Sequence, residues 1–335
     1  MRAQIIDAFG ETDVFRLTSL PEPRPAPGEV VVALAATSVN PVDYKLRRHG
    51  PSIAPALPAV LGCDVAGTIV ALGAGVTDFK IGDEVYGCAG GVAGVSGGSY
   101  AEQIAADARL LAHKPSNLTL REAAALPLVT ITAWEGLERA SVGAGTSVLI
   151  HGGAGGVGHI AIQLAKARGA TVSATVSSDE KAAIADRLGA DHVINYREEG
   201  VSDYVARLTR GRGFDVVFDA TGGNDIAASF AAARLNGHVV TIVSQYEADL
   251  VLMHAKGLSL HVVFMLIPML HDIGREAHGR LLRAAAALAE AGKLRPLIEP
   301  EHFALADLPR AHQKAEAGRA LGKIVIDIAG LPPIG

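Results

Sequence analysis

The spacing of apolar residues along the chain changes near residue 120. Before this point, apolar residues form short runs separated by Gly and Pro: "AQIIDAF", "EVVVALAATSV", "GTIVALGA" and "EVYGCA". Short apolar runs between turn residues are typical of β-strands. The first third of the chain is therefore predicted to be β-rich and barrel-like.

Later in the chain, apolar strand patterns alternate with helical patterns. Helices are predicted at 157–169 and 179–189, where Gly169 and Gly189 close them because glycine tolerates the left-handed conformation that ends a helix. Buried strands that alternate with helices favour a doubly wound parallel sheet. The strands of this sheet are predicted at 146–151, 171–176, 192–196, 214–220 and 238–244. A final helix, "GRLLRAAAALAEAG", and a strand, "GKIVIDI", are expected to return the chain to the first domain.

The composition narrows the class of protein. A chain of 335 residues is expected to form two domains, and 19% charged residues with a net charge of -5 are typical of a globular protein. Without a basic block, no nucleic-acid partner is expected. The longest apolar run, at 260–270, is too short to span a membrane. No secretion signal is found, and the two cysteines, Cys63 and Cys88, are expected to be free thiols in the cytoplasm.

The segment "HGGAGGVG" follows a predicted strand and opens a predicted helix. Glycines at this place allow a tight turn and let backbone N–H groups approach a pyrophosphate, which the helix dipole also favours. In the strand–turn–helix context the motif predicts a dinucleotide site rather than a mere tight turn. Its predicted cofactor-binding residues are Gly153, Ala154, Gly155, Gly156, Val157 and Gly158.

The segment "SATVSSDEK" indicates which dinucleotide is bound. An NAD site usually has Asp or Glu at the end of the second strand, and Asp179 falls at about that distance. However, Ser177 and Glu180 have the spacing of a capping box, which puts Asp179 in the first turn of a helix, where acids are favoured anyway. Ser177, Ser178 and Lys181 can instead bind a 2′-phosphate, so NADP is the predicted cofactor.

The stretch "SVNPVDYKLRRHG", at 38–50, places four polar residues at the end of a predicted strand: Asn40, Asp43, Tyr44 and Lys45. Asn-Pro is also an ordinary turn signal, so the stretch is either a reaction site or a bend. No His or Cys pair has the spacing of zinc ligands, and Cys63 in "LGCDVAG" fits a small core residue with a turn acid beside it. No metal site is predicted.

These segments together resemble the medium-chain dehydrogenase/reductase superfamily, in its zinc-free quinone oxidoreductase branch, the zeta-crystallin-like proteins. The resemblance also includes "AALPLVTITAWEGL", "GADHVINY" and "GKIVI", in order along the chain. It implies an α/β fold with a Rossmann doubly wound parallel sheet and a β-rich GroES-like catalytic domain. The implied domains are 1–124 for the first part of the catalytic domain, 125–268 for the NADP-binding domain and 269–335 for the return.

The resemblance also assigns residues. Zinc-dependent relatives carry a Cys ligand at the position of Asn40 and a His at the position of Cys63, so zinc is expected to be absent. Lys181 and Tyr196 resemble residues that flank the 2′-phosphate and adenine, although Tyr196 also fits an ordinary strand-end aromatic. Thr130 resembles the residue facing the nicotinamide, and Asn40 resembles one beside the nicotinamide ribose. The other residues expected near the cofactor are Ser244, Phe264, Met265 and Lys323.

The implied reaction is hydride transfer from NADPH to a small-molecule electron acceptor, a quinone or an α,β-unsaturated carbonyl. Conjugation spreads the developing negative charge, so a hydrogen-bond donor near the carbonyl oxygen replaces a Lewis acid. Asn40, Tyr44 and Lys45 are the predicted catalytic residues, with Lys45 and Tyr44 as the donors. The alternatives are an alcohol dehydrogenase, with or without zinc, and a non-catalytic NADPH-binding protein.

The apolar segment "LHVVFML" is predicted to be the edge strand of the parallel sheet. Exposed edge strands are normally paired or covered. By resemblance, this one is expected to pair with its copy in a homodimer. The alternative is that the chain's own helices cover it.

Overall fold

The computed structural model of the protein describes residues 1–222, 226–243 and 247–328. These residues form two compact units. The first unit contains Met1–Leu128, Leu266–Gly292 and the described residues from Pro296 onward. The second contains Val129–Met265 and Lys293–Arg295. The first unit is therefore assembled from separate parts of the chain.

The bounds of the regular elements follow. The strands are β1 (Arg2–Ile6), β2 (Phe15–Ser19), β3 (Glu29–Val39), β4 (Ala59–Val60), β5 (Asp64–Leu72), β6 (Glu84–Cys88), β7 (Gln103–Asp107), β8 (Leu111–His113), β9 (Ser147–His151), β10 (Thr171–Val176), β11 (His192–Asn195), β12 (Phe214–Asp219), β13 (Ala233–Thr241), β14 (Ser259–Val262), β15 (Phe303–Ala304) and β16 (Ile324–Asp327). The helices are α1 (Pro41–His49), α2 (Leu120–Ala124), α3 (Pro127–Arg139), α4 (Gly158–Ala167), α5 (Asp179–Arg187), α6 (Val201–Thr209), α7 (Ile226–Ala232), α8 (Val251–Lys256), α9 (Ile267–His271), α10 (Glu276–Glu290) and α11 (Leu308–Glu316).

The second unit is built on a parallel sheet whose described strands run in the order β11-β10-β9-β12-β13-β14. Counted along the chain, this is the strand order of doubly wound dinucleotide-binding sheets. Gly169 and Gly189 follow α4 and α5 with φ of +83° and +99°, as expected for residues that end helices. The predicted fold class is confirmed.

The core of the second unit joins strands of the sheet to two helices. Leu149, Val217 and Val239 come from β9, β12 and β13, and they belong to one buried cluster with Tyr204 of α6 and Phe230 of α7. Burying each such large side chain stabilises the fold by about 1.5–3 kcal/mol. This core makes the parallel sheet a rigid support for the turns at its carboxyl ends.

The first unit contains a larger, mostly antiparallel sheet with the order β15-β16-β3-β5-β6-β8, in which β7 also pairs with β3. A small antiparallel sheet has the order β2-β1-β4. Within the larger sheet, β7 pairs with the start of β3 and β16 pairs with its end, where Ile324 lies opposite Val39. This register brings the residue before β16, Lys323, to the end of β3.

The stretch after β3 forms a helix, which the Asn-Pro turn signal did not indicate. Asn40 is the extended N-cap residue, Pro41 is the first helical residue, and Gly50 ends α1 with φ of +53°. The backbone N–H of Asn40 donates a 2.8 Å hydrogen bond to Oδ2 of Asp43, which is half of a capping box. The predicted simple bend is thus wrong, because Asn and Pro also start helices.

The edge strand prediction is confirmed only for the start of the segment "LHVVFML": β14 spans Ser259–Val262, and residues 263–266 are not in a strand. β14 lies at one end of the parallel sheet and pairs only with β13. Val262 at its end is 44% exposed, and Phe264 shortly after it is 42% exposed.

Among the described helices, none is both long enough and apolar enough to cross a membrane.

Candidate active site

A buried polar cluster lies where β3 meets α1 in the first unit. The side chains of Asn40, Asp43 and Asp64 are fully buried, and Lys323 is 2% exposed. Buried charged groups are rare unless they are paired. The contacts within this cluster therefore determine what its members can do.

The Asn40 amide is held from both sides. Its Nδ2 donates a 2.8 Å hydrogen bond to Oδ2 of Asp64, and its Oδ1 accepts a hydrogen bond from Nζ of Lys323. Lys323 also donates to the carbonyl of Val39 at 3.0 Å and lies 3.6 Å from Oδ2 of Asp64. Because an ammonium only donates and a carboxylate only accepts, the amide has a single orientation. The predicted contact of Asn40 with the cofactor stays a prediction.

Asp43 adds a second carboxyl to this cluster. Burial raises its pKa from the ordinary 3.8 to about 6, and the charge of Asp64 acts in the same direction. The backbone N–H of Asn40 and the ammonium of Lys323 oppose the rise because they favour the carboxylate. Asp43 therefore titrates much closer to neutrality than an ordinary aspartate.

Tyr44 and Lys45 are the two polar residues of α1 that are partly buried; the apolar Val42 is partly buried as well. Burial raises the pKa of the Tyr44 phenol above its ordinary 10.0, and the carboxylates of Glu316 and Asp43 raise it further. Tyr44 thus keeps its proton at neutral pH and can donate it in a hydrogen bond. Lys45 makes no hydrogen bond or ion pair with any residue that the structure describes. Both predicted donors are consequently available to a ligand of the first unit.

The glycine-rich turn joins β9 to α4 in the second unit. Gly152 has φ of +73°, which favours glycine, although the sequence motif began one residue later. A Cβ on Gly158 would lie 2.1 Å from the carbonyl oxygen of Gly152, so only glycine lets the helix start this close to the turn. A Cβ on Gly153 would lie 2.9 Å from Cβ of Ala174 in β10. The motif's glycines therefore serve the turn and the helix–strand packing.

The exposed part of this turn contains Gly155 and the partly exposed Gly156 and Val157. The first hydrogen bond of the helical type runs from the N–H of His159 to the carbonyl of Gly155 at 3.1 Å. Before that point, the N–H of Gly153 donates to the carbonyl of Thr175 at 3.0 Å and that of Gly155 to the carbonyl of Gly152 at 2.9 Å, so an anion would be bound by the other N–H groups of the turn. The predicted residues Gly153–Gly158 thus form one compact turn at the carboxyl end of β9.

Polar side chains also meet at the carboxyl ends of β10 and β11. Nζ of Lys181 donates a 3.3 Å hydrogen bond to Oγ of Ser177, and the N–H of Tyr196 donates to the carbonyl of Val176 at 3.2 Å. The Tyr196 side chain is 54% exposed. Ser177 and Lys181 are therefore brought together next to the backbone of Tyr196 at this edge of the sheet, and their contact with a 2′-phosphate stays a prediction.

The capping prediction at this strand end was wrong by one residue. The N-cap residue of α5 is Ser178, whose Oγ accepts from the N–H of Lys181 at 3.4 Å. Ser177 instead accepts from the Lys181 ammonium, so its hydroxyl is not the cap. Asp179 is the first residue of α5 and is exposed, which agrees with its interpretation as a helix-start acid.

The remaining predicted cofactor residues occupy different settings. Thr130 lies in α3, and its buried Oγ1 makes no hydrogen bond with any described residue. Met265 is 4% exposed, whereas Phe264 is 42% exposed. Ser244 lies outside the described residues. Among the described residues of this group, Thr130 is the one with an unpaired buried side-chain oxygen, which a ligand could satisfy.

Sequence reasoning missed one central residue of the first unit. Asp64 was interpreted as an acid beside a turn, but it is the fully buried first residue of β5 and faces Asn40 and Lys323. The only signal in the sequence was its place in "GCD", next to Cys63. Lys323 was expected near the cofactor, and the structure shows that its side chain contacts Val39, Asn40 and Asp64.

Asn40 and Cys63, at the two positions compared above with zinc ligands, do not fit zinc. The described residues include no group of three or more His, Cys, Asp or Glu that could hold a metal ion. Cys63 is fully buried, and its contact with Cys88, followed by burial, raises the pKa of its thiol well above the ordinary value. Zinc binds thiolate. Moreover, the ammonium of Lys323 already bonds to Asn40, so a metal cation at Asn40 would be repelled.

Comparison with known sequences and structures gives consistent matches. The sequence profile of the alcohol dehydrogenase GroES-like domain matches residues 26–116, and that of the zinc-binding dehydrogenases matches residues 188–326. The 2-methylene-furan-3-one reductase of Solanum lycopersicum is 37% identical over 97% of this chain and 79% of its own.

Two crystal structures share the fold. An alcohol dehydrogenase superfamily protein from Novosphingobium aromaticivorans is 43% identical, with a TM-score of 0.92 over 98% of this chain and 99% of its own. The Escherichia coli quinone oxidoreductase, complexed with NADPH, is 26% identical, with a TM-score of 0.86 over 98% of this chain and 100% of its own. The chain therefore belongs to the medium-chain dehydrogenase/reductase superfamily, in its quinone oxidoreductase branch.

Proposed function

We propose that the protein is an oxidoreductase that transfers a hydride from NADPH to the conjugated system of a quinone or an α,β-unsaturated carbonyl. The observation that carries the proposal is the pairing of Lys181 with Ser177 at the end of β10, where an NAD site would have a carboxylate. The similar tomato protein is named as a reductase of a furanone with a conjugated methylene group. The similar E. coli quinone oxidoreductase is described as a complex with NADPH.

The second unit fits NADPH. The turn Gly153–Gly158 would receive the pyrophosphate on its N–H groups other than those of Gly153 and Gly155, which already donate to carbonyls of the chain. Ser177, Ser178 and Lys181 would hold the 2′-phosphate. Tyr196 is exposed enough to lie against the adenine. The buried, unpaired hydroxyl of Thr130 supports its assignment beside the nicotinamide. When bound, NADPH supplies the hydride; this chain's residues bind and orient it.

The first unit supplies the groups that act on the acceptor. Hydride addition to a conjugated carbon leaves negative charge on the carbonyl oxygen, as an enolate or a hydroquinone anion. Tyr44, which stays protonated at neutral pH, and Lys45, which has no partner among the described residues, can donate hydrogen bonds to that oxygen. A proton from water then completes the product, so that the hydride and the proton together saturate the C=C bond of an enone or convert a quinone to its hydroquinone. No metal is needed because conjugation already spreads the charge.

The edge strand supports a homodimer. β14 pairs on one side only among the described strands, and the apolar side chains of Val262 and Phe264 are exposed. Arg139 donates to the carbonyl of Val262 at 2.6 Å and so fixes the end of this edge. Pairing with a second copy would satisfy the backbone groups of the edge strand and cover the apolar residues.

The two buried free cysteines support a reducing compartment such as the cytoplasm.

The test is NADPH oxidation by the purified protein, followed by absorbance. A simple benzoquinone and an alkyl vinyl ketone serve as acceptors, and the matching saturated ketone is the control. We expect turnover with at least one conjugated acceptor, a preference for NADPH over NADH, and no effect of a zinc chelator. Oxidation of a simple alcohol that the chelator abolishes would contradict the proposal. NADPH binding without turnover on either acceptor would favour a non-catalytic protein.

A further inference from the structure

Asp64 joins four separate parts of the first unit through one carboxylate. Its Oδ2 accepts from Oγ of Ser38 at 2.5 Å and from Nδ2 of Asn40 at 2.8 Å, and it lies 3.6 Å from Nζ of Lys323. Its Oδ1 accepts from the N–H of Leu128 at 2.8 Å. The side chain is fully buried. A fully buried carboxylate with this many partners is a fixed structural and electrostatic centre.

The four partners belong to the segments that carry the proposed chemistry. Ser38 lies at the end of β3, and Asn40 is the N-cap residue of α1, the helix of Tyr44 and Lys45. Lys323 immediately precedes β16. Leu128 lies in the first turn of α3, whose N–H groups have no acceptor within the helix. Asp64 therefore sets where each of these segments begins or ends.

The partners also explain why this residue has to be a carboxylate. Asn40 Nδ2 and the N–H of Leu128 both donate to it, and the Lys323 ammonium lies 3.6 Å from it as an ion-pair partner. An amide in place of Asp64 would turn its own NH₂ group toward at least one of these donors. Either the Asn40 amide or the N–H of Leu128 would then lose its acceptor, because an Asn side chain has one oxygen where Asp64 has two.

We propose that Asp64 is a positioning residue of the reaction site: it orients the Asn40 amide and the Lys323 ammonium, and thereby holds the start of α1 so that Tyr44 and Lys45 face the acceptor. It acts through these residues and does not touch the substrate. The inference rests on the proposed function for its kinetic consequence, but its structural consequence can be measured without any turnover.

The first experiment compares Asp64→Asn with a matched control. Asp215→Asn serves as the control because Asp215 has a similar set of donors: Oγ and N–H of Ser147 at 2.6 and 2.8 Å and the Arg234 guanidinium at 2.6 Å. Hydrogen–deuterium exchange of peptides covering 38–50 should become faster in Asp64→Asn and stay unchanged in Asp215→Asn. Unchanged exchange in Asp64→Asn would overturn the proposal.

Kinetics provide the second measurement. In Asp64→Asn, kcat should fall about 10- to 100-fold, as expected when reacting groups are misplaced by about 1 Å. The Kd of NADPH should change less than about threefold, which is under 1 kcal/mol. A kcat equal to that of the parent would also overturn the proposal. If the parent itself shows no turnover, the proposed function fails, and the exchange experiment still decides the role of Asp64.

A double variant separates positioning from charge balance. Asp64→Asn removes the carboxylate that lies 3.6 Å from the buried Lys323 ammonium, which alone lowers stability. Adding Lys323→Met removes that ammonium. We expect the double variant to recover Tm but not kcat or the slow exchange of 38–50. Recovery of all three would mean that Asp64 only neutralises Lys323, and the proposal would be wrong.

Discussion

The side-chain nitrogen of Asn40 donates a 2.8 Å hydrogen bond to Oδ2 of Asp64, and both residues are fully buried. The bond joins the N-cap residue of α1 to the first residue of β5. It therefore ties the helix that carries Tyr44 and Lys45 to the central sheet of the first unit. A reaction site on this helix would have a rigid base.

Replacing Lys45 with Met should lower kcat without weakening the binding of NADPH. A donor to a developing oxyanion is typically worth 10²–10³ in kcat, and a partly exposed donor less, so we expect a loss of about 10- to 100-fold. The Kd of NADPH should stay the same. Arg48→Met is the control, since Arg48 lies on the same helix and pairs with Glu11 at 2.6 Å. Parent-like turnover in Lys45→Met would exclude its catalytic role.

Replacing Lys181 with Ala should weaken the binding of NADPH but not that of NADH. A hydrogen bond to a charged group contributes about 1.5–3 kcal/mol, so the Kd of NADPH should rise roughly 10- to 100-fold. The Kd of NADH should not change, because NADH lacks the 2′-phosphate. Cofactor fluorescence measures both constants. Lys166→Ala is the control, since Lys166 pairs with Asp191 at 2.7 Å. An equal loss for NADPH and NADH would contradict a 2′-phosphate contact.

Replacing Asp43 with Asn should change how stability depends on pH. The pKa of Asp43 is about 6 in the folded protein and 3.8 ordinarily. The folded state therefore binds the proton more tightly, and stability falls as pH rises from about 4 to about 6. A difference of about two pKa units corresponds to about 3 kcal/mol. Urea unfolding should show that Asp43→Asn lacks this decline and is more stable than the parent at about pH 8.

Asp191→Asn is the comparison variant, because it should change stability at neutral pH in the opposite direction to Asp43→Asn. Burial acts to raise the pKa of Asp191, but Lys166 and the N–H of Val172 outweigh it and hold the pKa below its usual value. A lowered pKa contributes stability above the ordinary pKa, so Asp191→Asn should be less stable than its parent at neutral pH.

If the stability of Asp43→Asn and that of its parent changed with pH in the same way, the raised pKa of Asp43 would be refuted.

Introducing a charge on the edge strand should disrupt the proposed homodimer. Val262→Lys places an ammonium on β14, and an edge lysine opposes strand pairing. Light scattering should then give the mass of a single chain, whereas the parent gives twice that mass. Val70→Lys is the control, because Val70 also lies in a strand and is 43% exposed, compared with 44% for Val262. A parent that is already monomeric would contradict the dimer.

The second unit was largely predictable from its sequence. Its strands are continuous apolar runs, and glycines close its helices, so local patterns indicated β9–β12 to within about two residues, which is the usual uncertainty of element ends. The strand predicted at 238–244 instead starts at Ala233 and ends at Thr241. The exposed Leu235 lies in that earlier part, where no buried pattern signals a strand.

Local ambiguity explains the errors at element ends. Asn-Pro begins turns as well as helices, so the sequence around Asn40 could not distinguish a bend from α1. Two adjacent serines, Ser177 and Ser178, can each cap a helix. The contact of Lys181 with Ser177 leaves Ser178 as the cap.

The sequence by itself determined the family, the doubly wound sheet and the position of the dinucleotide turn, because these depend on periodic apolar residues and closely spaced glycines. Only the tertiary structure decided that Asn40, Asp64 and Lys323 form one buried network. They come from distant parts of the chain, and the pairing of β16 and β5 with β3 brings them together. Buried charges require partners, and no local pattern reveals which distant residue supplies them.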